Sequence, residues 1–153
     1  MKIQSDSFSC GIFAVLNAAR ALNISLSRRD VSKHSNTTQK GTNQKGILSA
    51  LKNNCMSGKV INTSATDAVE QMNMALAESK PVILCVDNEN HWITIIGRLG
   101  RKYIVFDSEK TKQNRAEHGV HLVERKSLMK RWINKGKYYG IIVSKRRQKK
   151  KVS

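Results

Sequence analysis

The stretch Gln4-Ser5-Asp6-Ser7-Phe8-Ser9-Cys10-Gly11-Ile12-Phe13-Ala14-Val15-Leu16 sets up everything downstream of it. Ile12, Val15, Leu16, Ala19 and Leu22 recur at steps of three and four, so the spacing predicts a helix over 10–22 with one buried face. Ser7 or Ser9 serves as N-cap, which puts Cys10 in the first turn, where backbone N–H groups point outward. The positive end of the helix dipole favours a thiolate there, the form of cysteine that attacks a carbonyl. Gln4 lies one short loop upstream, and its amide can donate a hydrogen bond to a developing oxyanion. Cys10 equally fits a small buried residue opening an amphipathic helix, so its partners must decide.

The chain then reads as helices followed by strands. Ser27 with Asp30 resembles a capping box before a short helix over 28–34. Residues 35–43 read as a polar loop and 46–54 as a third helix beginning near Thr42 or Asn43. A short strand covers 59–61, and a further helix covers 66–79 with Val69, Met72, Leu76 and Ala77 on one side. Pro81-Val82-Ile83-Leu84-Cys85-Val86-Asp87 is a continuous apolar run, as in a central strand, so Cys85 reads as core. Strands follow over 91–97, 102–107, 120–123 and 138–143, with a short helix over 127–133. The expected fold is α+β, with helices filling the N-terminal half, an antiparallel sheet filling the C-terminal half, and a cleft between.

Two residues of that sheet complete a constellation. Arg98-Leu99-Gly100 reads as a three-residue hairpin loop with Gly100 in the left-handed position. A hairpin centred on Leu99 places His91 opposite Asp107 on one face, with Cβ atoms about 4.5–5.5 Å apart. There the carboxylate can accept the histidine Nδ1–H, fix the tautomer and stabilise imidazolium. His91 can then take the proton of Cys10, and Gln4 with the Cys10 N–H forms an oxyanion hole. A two-residue turn would instead bring Ser108 opposite His91. Singly, His91 fits an exposed strand end and Asp107 a turn residue; together with the stretch 4–10 they point to catalysis.

The order Gln4, Cys10, His91, Asp107 resembles that of papain-like cysteine peptidases, most closely peptidase family C39 and its C39-like relatives. Gln4 stands six residues before Cys10, as the family's oxyanion glutamine does before its nucleophile. Lys40-Gly41-Thr42 with Ile47-Leu48-Ser49-Ala50-Leu51 resembles the segment leading into its third helix. Asn90-His91-Trp92-Ile93-Thr94-Ile95-Ile96-Gly97 resembles its histidine strand, and Tyr103-Ile104-Val105-Phe106-Asp107 the strand ending in the triad acid. The resemblance implies Cys10 as nucleophile, His91 as base, Asp107 as orienting acid, Gln4 as oxyanion donor, a polypeptide substrate and no cofactor. The chain departs from the pattern at Ser9, where the family usually carries an acid, and at Ser108, where proline often follows.

Composition bounds the alternatives. A chain of 153 residues is one domain by length, assigned here to 1–144, with 145–153 expected to be a disordered basic tail. Net charge is +17, and six of the 28 basic residues lie in 145–151. Without them basic residues still exceed acidic ones by eleven, which suits an acidic partner such as nucleic acid or another polyanion. With eight aromatics the chain lacks the stacking residues of a single-strand binder. Cys10, Cys55 and Cys85 form no disulfide framework and no CxxC. His118 and His121 lie three apart without further ligands, so no metal is expected. No signal peptide or membrane-spanning run is seen, and the expected location is cytoplasmic, or nuclear if the tail is a targeting signal. Three functions stay open: a cysteine peptidase acting on peptide or isopeptide bonds, an acyltransferase or glutamine deamidase using the same triad, and a non-catalytic papain-like binding module.

Overall fold

In the computed structural model, which describes residues 10–35, 37, 42–88, 91–108 and 119–146, helix α1 spans Cys10–Ala21. It is buried beyond the expected stripe. Phe13, Ala14, Asn17 and Ala18 are covered as well as Ile12, Val15 and Ala19, whereas Leu16 and Leu22 are only partly buried. The small residues permit this, because α1 touches β-strands on one side and two helices on others. Those helices are α2 (Arg28–Ser35) and α3 (Gln44–Lys52). The capping box at α2 forms as read: the Asp30 N–H donates to Ser27 Oγ at 3.1 Å and the Ser27 N–H to Asp30 Oδ2 at 2.8 Å. Asn43 caps α3, its Oδ1 accepting from the Gly46 N–H at 2.9 Å. The proposed caps of α1, Ser7 and Ser9, lie outside the described residues.

The remaining elements are β1 (Met56–Thr63), α4 (Ala65–Ala77), β2 (Val82–Val86), β3 (His91–Leu99), β4 (Lys102–Phe106), β5 (Val120–Glu124), α5 (Arg125–Trp132), β6 (Ile133–Asn134) and β7 (Lys137–Lys145). The strands form one antiparallel sheet in the order β1-β7-β2-β3-β4-β5, with β6 paired to β7. β1 is longer than the three residues its apolar pattern marks, because it is held by pairing with β7 along its whole length. β6 was not read from the sequence; it forms a hairpin with β7 through Lys135 and Gly136, both at positive φ as a type I′ turn requires. β7 runs through Lys145, one residue into the basic segment, and residues 147–153 lie outside the described residues.

Helices pack against an antiparallel sheet as expected, and the alternation of the strands places them on both of its faces. Ile83, Cys85 and Trp92 face one way, into a core with α1, α2 and α3. Val82, Leu84, Val86, Ile93, Ile95, Tyr103 and Val105 face the other, into a core with α4 and α5. Helices therefore cover both faces, which is why β2 is apolar at all five positions. No helix among the described residues is long and apolar enough to cross a membrane.

The β3–β4 register also differs from expectation. Leu99 pairs with Lys102, so the loop is the two residues Gly100 and Arg101. Gly100 supplies a φ of +63 at the first loop position, as in a type II′ turn. An irregularity between Ile95 and Gly97 shifts the ladder again, and the last pair is Thr94 with Phe106. Asp107 is thereby carried to the level of Ile93, not His91. His91 and Asp107 remain on one face as diagonal neighbours, about 7–8 Å apart along the backbone, a gap their side chains can close.

Candidate active site

Cys10 is the first residue of α1 and is 5% exposed. Its position is set by what the first turn packs against. A Cβ on Gly11 would lie 2.7 Å from Thr42 Cβ, so glycine lets α1 close onto the residue that precedes the α3 cap. Thr42 in turn accepts the Trp92 indole N–H on its carbonyl at 2.8 Å, and Thr94 Oγ1 donates to the Ala14 carbonyl at 2.9 Å. Two side chains of β3 thus hold α1 and the entry to α3 against the strand that begins with His91.

His91 lies where the two layers meet at the end of β3. Its Nε2 is 2.6 Å from Asp107 Oδ1, with side-chain exposures of 5% and 1%. The sequence reading assigned the acid to Nδ1; the structure gives it Nε2. Nδ1 is thus not the nitrogen bonded to the acid, and the Cys10 side chain is near enough to act on the ring. Burial opposes the imidazolium, but the hydrogen bonds and negative charges of Asp107 and Cys10 outweigh it and raise the pKa of His91 from 6.5 to about 10. A buried imidazolium held by a carboxylate beside a cysteine is an arrangement that suits a cysteine nucleophile.

Asp107 is fixed from three sides. Its N–H donates to the Gly119 carbonyl at 2.9 Å, tying the end of β4 to the start of β5. Oδ1 faces His91, while Oδ2 accepts from Arg131 Nη1 at 3.3 Å and Nη2 at 3.4 Å. Arg131 was missed in the sequence, where it is one of four basic residues in α5. The available signal was its place three residues after Leu128 and next to Trp132, the two buried residues of that helix. Asp87, at the end of the apolar run, also pairs with Arg131: Nε to Oδ1 at 2.9 Å and Nη2 to Oδ2 at 2.7 Å. Ser108, the other candidate opposite His91, is buried beside Asp107.

Gln4 lies outside the described residues, as do Lys40, Gly41 and His118. His121 stands on β5, its Nδ1 buried without a partner among the described groups, and burial lowers its pKa against the pull of Asp107. Among the described residues no group of three or more His, Cys, Asp or Glu side chains is placed to hold a metal. Cys85 is buried as core and Cys55 is exposed.

The model of the peptidase C39 family matches residues 1–136. No curated protein matches the chain. Among solved structures, it resembles a double glycine motif protease from an AMS/PCAT transporter, in complex with the leader peptide, at TM-score 0.70 and 16% identity over 94% of this chain and 89% of that one. The peptidase domain of Streptococcus ComA, a bifunctional ABC transporter of a quorum-sensing pathway, gives 0.70 and 18% over 95% and 97%. The N-terminal peptidase C39-like domain of a Vibrio parahaemolyticus toxin secretion ATP-binding protein gives 0.65 and 13% over 95% and 99%. The three share this fold: helices packed against an antiparallel sheet.

Proposed function

The chain belongs to the peptidase C39 family of cysteine peptidases, and on that premise we propose that it hydrolyses bonds in a polypeptide substrate through Cys10, His91 and Asp107. The observation that carries this reading is His91, buried, hydrogen-bonded to Asp107 and close enough to Cys10 for the thiol to help raise its pKa. The Cys10 thiolate attacks the scissile carbonyl carbon, forming a C–S bond and an oxyanion. The Cys10 N–H, in a first turn whose N–H groups have no partner within the helix, faces that oxygen. Gln4 is the second donor, a role supported by its spacing of six residues from Cys10. When the C–N bond breaks, His91 gives its proton to the leaving amine. His91 then takes a proton from water, whose oxygen displaces the thiolate from the thioester and leaves a carboxylic acid. Asp107 keeps the ring in the orientation that serves both transfers. The leader peptide bound to one solved relative supports a polypeptide as substrate.

The test is a peptide pool incubated in H2(18)O with the wild type and with Cys10→Ala. New C-termini carrying the heavy oxygen are expected only with the wild type. The same termini from Cys10→Ala, or none from the wild type, overturn the proposal, and new amide bonds without heavy oxygen assign the site to acyl transfer instead.

A further inference from the structure

The contacts of Arg131 exceed what the proposed reaction has used. Its guanidinium lies between two carboxylates, engaging Asp87 through Nε and Nη2 and Asp107 through Nη1 and Nη2. Its backbone carbonyl also accepts the Asp87 N–H at 2.8 Å. Asp87 and Asn88 follow β2 in left-handed conformation, at φ of 54 and 59, on the connection that leads to His91. One residue of α5 therefore grips both the end of β4, which carries Asp107, and the turn that leads into the strand carrying His91.

Resting on the triad reading above, we propose that Arg131 is the positioning residue of Asp107: it holds Oδ2 so that Oδ1 stays turned to His91, and through Asp87 it fixes the two strand ends relative to each other.

The chemistry requires such a group. A carboxylate 1% exposed is costly unless each oxygen has a donor. His91 satisfies one oxygen. Without Arg131 the other loses its cationic partner, and the carboxyl can rotate or take up a proton. Among the described residues, the titratable and charged groups facing Asp107 include His91 from β3, Arg131 from α5 and His121 from β5, with Cys10 acting through His91 and Asp87 through Arg131. His121 is held toward its neutral form by burial, whereas Arg131 brings a cation to Oδ2 as His91 does to Oδ1.

The test follows alkylation of Cys10 by iodoacetamide against pH, residue by residue, which requires no substrate. In the wild type Cys10 is expected to react quickly well below the ordinary thiol midpoint of about 8.5. If it reacts as slowly as Cys55, the triad reading itself fails. If the wild type behaves as expected, Arg131→Met is expected to move the acid-side midpoint of Cys10 up by about one pH unit. That lowers the rate by up to about tenfold at pH values below the wild-type midpoint and leaves the rate above pH 9 unchanged. Arg131→Lys, which keeps the charge but not the fork, is expected to fall between the two. An acid limb unmoved in Arg131→Met, or a loss equal at every pH, overturns the positioning role. Should Arg131→Met not fold, Arg131→Lys decides alone: a partial shift supports the role and a wild-type profile refutes it.

Discussion

Oδ1 of Asp107 sits 2.6 Å from Nε2 of His91, and neither side chain is more than 5% exposed. In isolation an amide could replace that carboxylate, its carbonyl accepting the same N–H. Arg131 removes this option, because its guanidinium at Oδ2 demands an acceptor there. In Asp107→Asn the carbonyl oxygen turns to Arg131 and the NH2 group faces Nε2, which then cannot carry its proton. The rate is expected to fall by about a hundredfold to ten-thousandfold. Adding Arg131→Met to Asp107→Asn frees the amide to flip and should recover part of the loss. A near-wild-type rate for Asp107→Asn would show that another acid orients His91.

The charge on His91 also makes stability depend on pH. Its pKa in the fold is about 10, above the ordinary 6.5, because contacts with Asp107 and Cys10 outweigh burial. Folding therefore tightens proton binding. The contribution is fully present below about pH 6.5 and drains away as pH rises toward 10. The urea midpoint is expected to fall across that window in the wild type and to fall less in His91→Gln. Cys10→Ser should also flatten the curve, since the thiolate is one source of the shift. Parallel curves for wild type and His91→Gln would contradict the charged pair.

Trp92 links the site to the α2–α3 connection. Its indole N–H donates to the Thr42 carbonyl, and its ring meets Tyr139 edge-on at 6.0 Å. Trp92→Phe keeps an aromatic ring but leaves that carbonyl without this donor. A loss of about 1–3 kcal/mol in urea unfolding is expected, with Cys10 alkylation at pH 6 retained within about tenfold. Loss of the alkylation at unchanged stability would assign Trp92 to the site itself.

The legible parts of the fold were those set by local patterning. The helix opened by Cys10, the capping box at Ser27 and Asp30, and the continuous apolar strand 82–86 each follow from residues near in sequence. The pairing of His91 with Asp107 was legible too, but for an inexact reason. The register that suggested it is shifted by the turn at Gly100 and the irregularity near Ile95, and the contact survives as a diagonal one. Neither displacement leaves a mark in an apolar pattern of period two. Arg131 was hidden for another reason: in a chain of net charge +17 one arginine carries little signal, and only the packing of α5 singles it out.

Gly11 offers the sharpest test of how Cys10 is placed. A Cβ there would come within 2.7 Å of Thr42 Cβ, 2.8 Å of its Oγ1 and 3.2 Å of Ile47 Cδ1. Thr42 cannot easily yield, being 6% exposed, bonded through Oγ1 to Thr37 and through its carbonyl to Trp92. In Gly11→Ala the first turn of α1 must lift away from α3, and Cys10 moves with it. Overpacking of this kind costs about 1–3 kcal/mol, and a displacement near 1 Å costs about a hundredfold in rate. Alkylation of Cys10 at pH 6 should slow in parallel, because the thiol leaves His91. Removing the obstructing Cβ with Thr42→Gly in the same chain is expected to restore alkylation, even if stability is not regained. Wild-type alkylation in Gly11→Ala alone would show that α1 has room here and that its closure on Thr42 does not set the position of Cys10.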